Sequence, residues 1–206
     1  MSRKQEKKPT KPIKREYDFA VVLGNLPDLT DEAMDALHES GCDDATFSLR
    51  YGLVFAEFSR EADSYKQAVM SAIADVRKAD TGAEVLRVNE CDLVSAADIA
   101  RRIERSRELV SQYIKGDRGP GNFPSPECFL SDDKPLWAWC AVSYWLLENQ
   151  LIREEDHEEA QFVWALNELL SVERQRKQNP ELMRELKIGL KPVTTRASSR
   201  EPRHVA

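Results

Sequence analysis

The stretch AADIARRIERSRELVSQYIKGDRGPGNFPSP, residues 96–126, decides how the rest of the chain is read. Ile99 and Ile103, then Val110, Tyr113 and Ile114, recur at helical spacing on either side of a short polar break. Ala100 is small where a second helix must approach, and Ser106 stands where that helix needs an N-cap. Behind them Gly116, Gly119 and Gly121 share a loop with Pro120, Pro124 and Pro126. Two short charged helices followed by such a loop predict a winged helix-turn-helix, a unit shaped to lay its second helix in the DNA major groove. The break departs from the common pattern. Glu104 falls where glycine usually takes a positive φ, at a cost of roughly 1 kcal/mol.

On this reading the outward face of the second helix carries Arg107, Glu108, Ser111, Gln112 and Lys115. Arg107 and Gln112, with Ser111, are the expected base readers, because Arg matches guanine and Gln matches adenine in bidentate geometry. Arg101, Arg102, Arg105, Ser106 and Lys115 are expected to meet phosphates, with Arg118 and Asn122 at the wing. Glu104 and Glu108 would repel phosphate, so they are expected to face away, or Glu108 to read cytosine.

Residues 127–139 are expected to supply wing strands around a turn at Ser131-Asp132-Asp133-Lys134-Pro135, and 141–149 a helix whose apolar face is Val142, Trp145 and Leu146. Phe123, Trp137, Trp139, Tyr144, Trp145 and Trp164 read as core aromatics, with indole N–H groups directed to carbonyls and Phe123-Pro124 bracing the wing. Residues 94–149 resemble the excisionase/MerR-like group of small bacterial and phage winged helix-turn-helix DNA-binding proteins. The resemblance rests on SAADIARRIERSRELVSQYIKG, on RGPGNFPSP, and on Trp137-Ala138-Trp139 leading into a helix with Trp145. It covers about a quarter of the chain and implies sequence-dependent DNA binding, as repressor, activator or recombination accessory factor.

Upstream, 17–23 is a β-rich apolar run ended by Gly24-Asn25 and Pro27. Thr30 opens a helix with Asp31 and Glu32 in its first turn, and Gly41 closes it. Residues 45–50 and 53–58 flank Tyr51-Gly52 as a hairpin, 61–78 places Tyr65, Ala68, Val69, Ala72, Ile73 and Val76 on one helical face, and 83–88 is a last strand. This order predicts a ferredoxin-like βαββαβ domain over 17–90, with two helices on one face of a four-stranded antiparallel sheet. The fold class is therefore α+β, with the winged unit over 94–150 and a helical segment over 154–190. The sheet domain is expected to scaffold or dimerise, with ligand sensing as an analogy from fold alone. RNA binding by its sheet is opposed by the lack of a basic-aromatic strand motif, and Phe47, Phe55 and Phe58 are expected to lie under the helices.

The total charge of −6 divides unevenly. The first 16 residues carry seven Lys/Arg against two Glu and the last 20 carry five against one, so the 170 between them hold −15. Basic ends on an acidic body can supply phosphate contacts while limiting unspecific adhesion. Residues 1–16 read as a disordered basic arm and 191–206 as a disordered tail. No apolar run approaches a membrane span, and a cytoplasmic, nucleoid-associated location is expected. Cys42, Cys91, Cys128 and Cys140 form no C-x-x-C pair, and His38, His157 and His204 are scattered, so neither a metal nor a cofactor is expected. No phosphate loop or nucleophile constellation is present, and the expectation is no enzyme. The leading reading is a transcriptional regulator bound to double-stranded DNA as a homodimer, paired through the apolar stripe of 154–176 or through the sheet domain. The alternative is an antitoxin-like or recombination accessory factor, in which a protein partner matters more and DNA binding is architectural.

Overall fold

The computed structural model describes residues 14–26, 28–88, 92–129 and 134–190. Residues 1–13 of the arm expected over 1–16, the tail over 191–206, Pro27, Cys91 and the Ser131-Asp132-Asp133 part of the wing turn lie outside the described residues, whereas Arg15 and Glu16, expected in the arm, are strand residues paired with Ala62 and Glu61. The chain divides into two compact units, Met1–Ser171 and Val172–Ala206.

The first unit opens with β1 (Arg15–Gly24), α1 (Asp31–Ser40), β2 (Ala45–Arg50), β3 (Leu53–Ala62), α2 (Tyr65–Lys78) and β4 (Glu84–Val88). The strands form one antiparallel sheet in the order β2-β3-β1-β4. The architecture is α+β. Because strand side chains alternate faces, Phe19, Val21 and Leu23 of β1 stand beside Phe58, Ala56 and Val54 of β3. That face is buried against Leu37 of α1 and Ala68, Val69, Ala72, Ile73 and Val76 of α2. Each large apolar side chain so covered contributes about 1.5–3 kcal/mol.

Local chemistry sets the element ends. Thr30 Oγ1 accepts the Ala33 N–H, and α1 stops at Gly41, whose φ of 112° admits the left-handed turn. Tyr51 and Gly52 take φ of 53° and 75°, as a two-residue hairpin loop of the primed kind requires. One boundary differs from expectation. The helix expected over 61–78 starts only at Tyr65, and Ser64 caps it by accepting the Gln67 N–H. Glu61 and Ala62 continue β3 instead, and Arg60 just before them is a buried strand side chain. Its guanidinium donates to Asp44, Asp75, Ser71 and the Gly41 carbonyl, so the strand runs on with its charge satisfied. Phe55 also differs: it registers with Val22 and Ser48 on the face away from the helices, with the Arg50 guanidinium 5.6 Å from its ring centre.

A second core follows, built from β5 (Leu93–Val94), α3 (Ala96–Arg102), α4 (Arg107–Lys115), β6 (Trp137–Ala138) and α5 (Trp139–Glu148), and α6 (Glu154–Gln178) comes after it. β5 pairs antiparallel with β6, and Cys128 bridges Leu136. Val94, Ile99, Ala100, Val110, Trp137, Val142 and Leu146 form its buried centre. Trp139 is not the last wing residue but the first of α5, its N–H donating to the Asp92 carbonyl. The stripe of α6 packs inside the protein: Val163 and Leu170 are buried with the sheet's core, Phe162 and Leu166 lean on it, and Leu169 stays exposed. Asn167, on the same helix, closes the β4 edge. Its Oδ1 accepts the Val88 N–H at 2.8 Å, and its Nδ2 donates to the Val88 carbonyl at 3.0 Å and to Asp92 Oδ2 at 2.8 Å.

In the second unit, α7 (Pro180–Gly189) is a ten-residue helix with proline at its first position. Leu182, Leu186 and Ile188 on it are exposed. No helix among the described residues is long and apolar enough to cross a membrane.

Candidate nucleic-acid interface

The α3–α4 pair is defined by its four ends. Ser95 Oγ accepts the Asp98 N–H while Asp98 Oδ2 accepts the Ser95 N–H at 2.9 Å, a reciprocal capping box. The Ser95 hydroxyl and amide, then Arg101, pull the Asp98 carboxyl down to about 2. α3 ends where Glu104 N–H donates to the Arg101 carbonyl and Arg105 N–H to the Ala100 carbonyl, with Glu104 in the left-handed region at φ 52°. Ser106 caps α4 through the Leu109 N–H, and Gly116, at φ 76°, ends it.

Val110 and Tyr113 turn inward, so helical spacing puts Glu108, Ser111, Gln112 and Lys115 on the opposite side of α4, with Arg107 on its flank. Arg107, Gln112 and Lys115 are exposed and Ser111 is half-buried. Glu108 stands among them. Its own backbone N–H and the Ser106 hydroxyl hold its carboxyl below the usual range, so it stays charged at the helix start. Arg101 is exposed and paired with Asp98, and Arg105 is exposed with a bond to the Glu104 carbonyl. Arg102 is exposed too, with its guanidinium 4.7 Å from the Trp139 ring centre. Arg118 and Asn122 are exposed on the loop behind α4.

That loop is held from beneath. Trp145 Nε1 donates to the Gly121 carbonyl at 2.9 Å and Trp137 Nε1 to the Pro124 carbonyl at 3.0 Å, while Phe123 sets its ring edgewise against both indoles. Gly119 lies on Tyr113, where a Cβ would approach its ring to 3.2 Å. The expected brace is therefore present at Trp137 and Trp145. Tyr144 and Trp164, expected in the core, are instead 55% and 43% exposed, and His157 bonds Ser143 Oγ through Nδ1 at 2.9 Å. They lie on the outer sides of α5 and α6, where their flat faces still cover some apolar surface.

Comparison with protein-family models, curated proteins and solved structures finds no match. The reading of this surface therefore rests on its own geometry. The roles of Asp98 and Asn167 were missed in sequence. Ser95-x-x-Asp98 is a legible capping signal, whereas Asn167 meets its partner Val88 across 79 residues and leaves no local trace.

Proposed function

We propose that the chain is a sequence-specific binder of double-stranded DNA, acting as a homodimeric regulator through a winged helix-turn-helix formed by α3, α4 and the braced loop of 116–126. The observation that carries this reading is the exposed side of α4, where Ser111, Gln112 and Lys115 stand with Arg107 on the flank, on a helix whose other side buries Val110 and Tyr113. Arg107 and Gln112 read base edges, Glu108 accepts from cytosine, and Arg101, Arg105, Lys115 and Arg118 meet phosphates. The strand order β2-β3-β1-β4 with α1 and α2 on one face supports a ferredoxin-like domain beside it.

Gel-shift titration against the chain's own upstream DNA at several salt concentrations tests this. Four phosphate contacts in each protomer, eight in the dimer, give a slope of log K against log salt of about −7, and Arg101→Ala reduces it by about 2 while weakening all sequences alike. Arg107→Ala with Gln112→Ala relaxes base choice. Absent or salt-insensitive binding, unaffected by that pair, refutes the proposal. A second reading, a protein-interaction factor with architectural DNA binding, draws on the exposed Tyr144 and Trp164. It leaves DNA affinity unchanged in the Arg107 and Gln112 variants.

A further inference from the structure

β2 is an end strand of the sheet, and among the described residues no strand pairs with its outer edge. Edge strands are normally protected from pairing by lysine, proline or a bulge. Ala45-Thr46-Phe47-Ser48-Leu49-Arg50 has none of these, and its register with β3 is unbroken. The opposite edge is closed at Val88 by Asn167. In a two-residue hairpin Arg50 and Leu53 exchange backbone bonds, so the even residues of β2 bond β3 and the odd ones turn outward. The Ser59 N–H to Asp44 carbonyl bond follows the same alternation. Phe47 and Leu49 thus aim their backbone N–H and C=O groups off the sheet. Leu49 is 46% exposed, and Ser48 Oγ is a buried side-chain oxygen with no hydrogen-bond partner among the described residues.

We propose that β2 pairs antiparallel with β2 of a second copy of this chain, about a two-fold axis at Ser48, to give one continuous eight-stranded sheet. This names the surface of the homodimer in the reading above, but it rests on β2 alone and is tested without DNA. The register follows from the faces. A two-fold axis perpendicular to the sheet keeps inward residues opposite inward residues. With Ser48 on the axis, Phe47 opposes Leu49 of the second copy and exchanges backbone bonds with it, as does Leu49 with Phe47. Four backbone hydrogen bonds form, and two aromatic–aliphatic pairs close on the helix side. Ser48 meets its own mate in a non-hydrogen-bonded pair, where side chains approach most closely, and a χ1 rotation gives each Oγ the partner it lacks. Arg50 falls opposite Thr46, beside Glu57 on β3, so an opposite charge lies within its reach and no like charges face each other.

Sedimentation of the full-length protein in the absence of DNA, across a dilution series, tests the pairing. The wild type sediments as a dimer that dissociates on dilution. Leu49→Pro removes an outward N–H without breaking a bond to β3, and raises the dimer dissociation constant by about tenfold or more. Leu49→Lys does the same from a position already exposed, and carries the test if the proline variant fails to fold by circular dichroism. Ser48→Cys cross-links two chains under mild air oxidation in excess of the wild type with its native cysteines, whereas Thr46→Cys does not. A wild type that is monomeric throughout overturns the proposal. So does a dimer that survives in both Leu49 variants, or a Ser48→Cys chain that links no better than wild type. DNA binding by a protein monomeric in this assay would leave the interface reading wrong and the DNA reading standing.

Discussion

Asn167 lies at a junction where one side chain satisfies groups from two parts of the fold. Replacing it with leucine keeps its approximate volume and removes three hydrogen bonds at once: two to the backbone of Val88 and one to Asp92. Val88 is fully buried, so water cannot reach its N–H and C=O to replace what is lost. Leaving a buried polar group without a partner costs about 1–3 kcal/mol, hence about 2–6 for the pair. The added methyl surface of leucine returns about 1 kcal/mol. Asn167→Leu should therefore destabilise the protein by about 1–5 kcal/mol, against the about 5–15 that holds an ordinary domain. Asn167→Asp should be at least as damaging, because its carboxylate faces both the Val88 carbonyl and Asp92. Urea unfolding followed by circular dichroism measures the loss, and amide exchange at Val88 localises it. A loss under about 1 kcal/mol with unchanged protection at Val88 would show that the edge is closed by something other than this side chain.

Three further outcomes follow from features of α3, its break and the sheet. Glu104→Gly relieves a left-handed residue at φ 52° and should raise stability by about 0.5 kcal/mol, the relief exceeding glycine's entropy cost; a lower melting temperature would refute it. Asp98→Asn removes a carboxylate held at about 2. Since that value is depressed, its contribution is complete above the ordinary carboxylate range and lost as pH falls through about 2. The variant should be about 1 kcal/mol weaker at neutral pH, after discounting for its partial exposure, and should lack the wild type's decline between those values, as read by melting at stepped pH. Arg60→Met leaves Asp44 and Asp75 facing each other without their shared cation. Because both are part-exposed, the cost should be about 2–3 kcal/mol in urea unfolding, and a neutral result would mean that the two carboxylates find water instead.

What could be read from the chain was what local chemistry writes into it. The caps at Thr30 and Ser106, the stop at Gly41 and the turn at Tyr51-Gly52 each depend on residues within a few positions, and all lie where expected. The inward set Ile99, Val110, Tyr113 and Trp145 was legible by period. The failures came from distance. Glu61 and Ala62 look like a helix start until Arg60 beside them is buried on β3 by aspartates 15 and 16 positions away. Phe55 was assigned to the wrong face, since one aromatic residue in an alternating strand does not say which side is covered. Trp139 favours a strand by type, yet the Asp92 carbonyl draws its N–H into the start of α5. The stripe of α6 was visible, but its partner, the sheet's own core, was not.

The two indole bonds beneath the loop of 116–126 have a kinetic consequence. A segment fastened at Gly121 and Pro124 gives up its freedom while the chain folds, not when it meets another molecule. Whatever touches this loop finds it already shaped, so loosening it should slow the forming of a complex as well as hasten its loss.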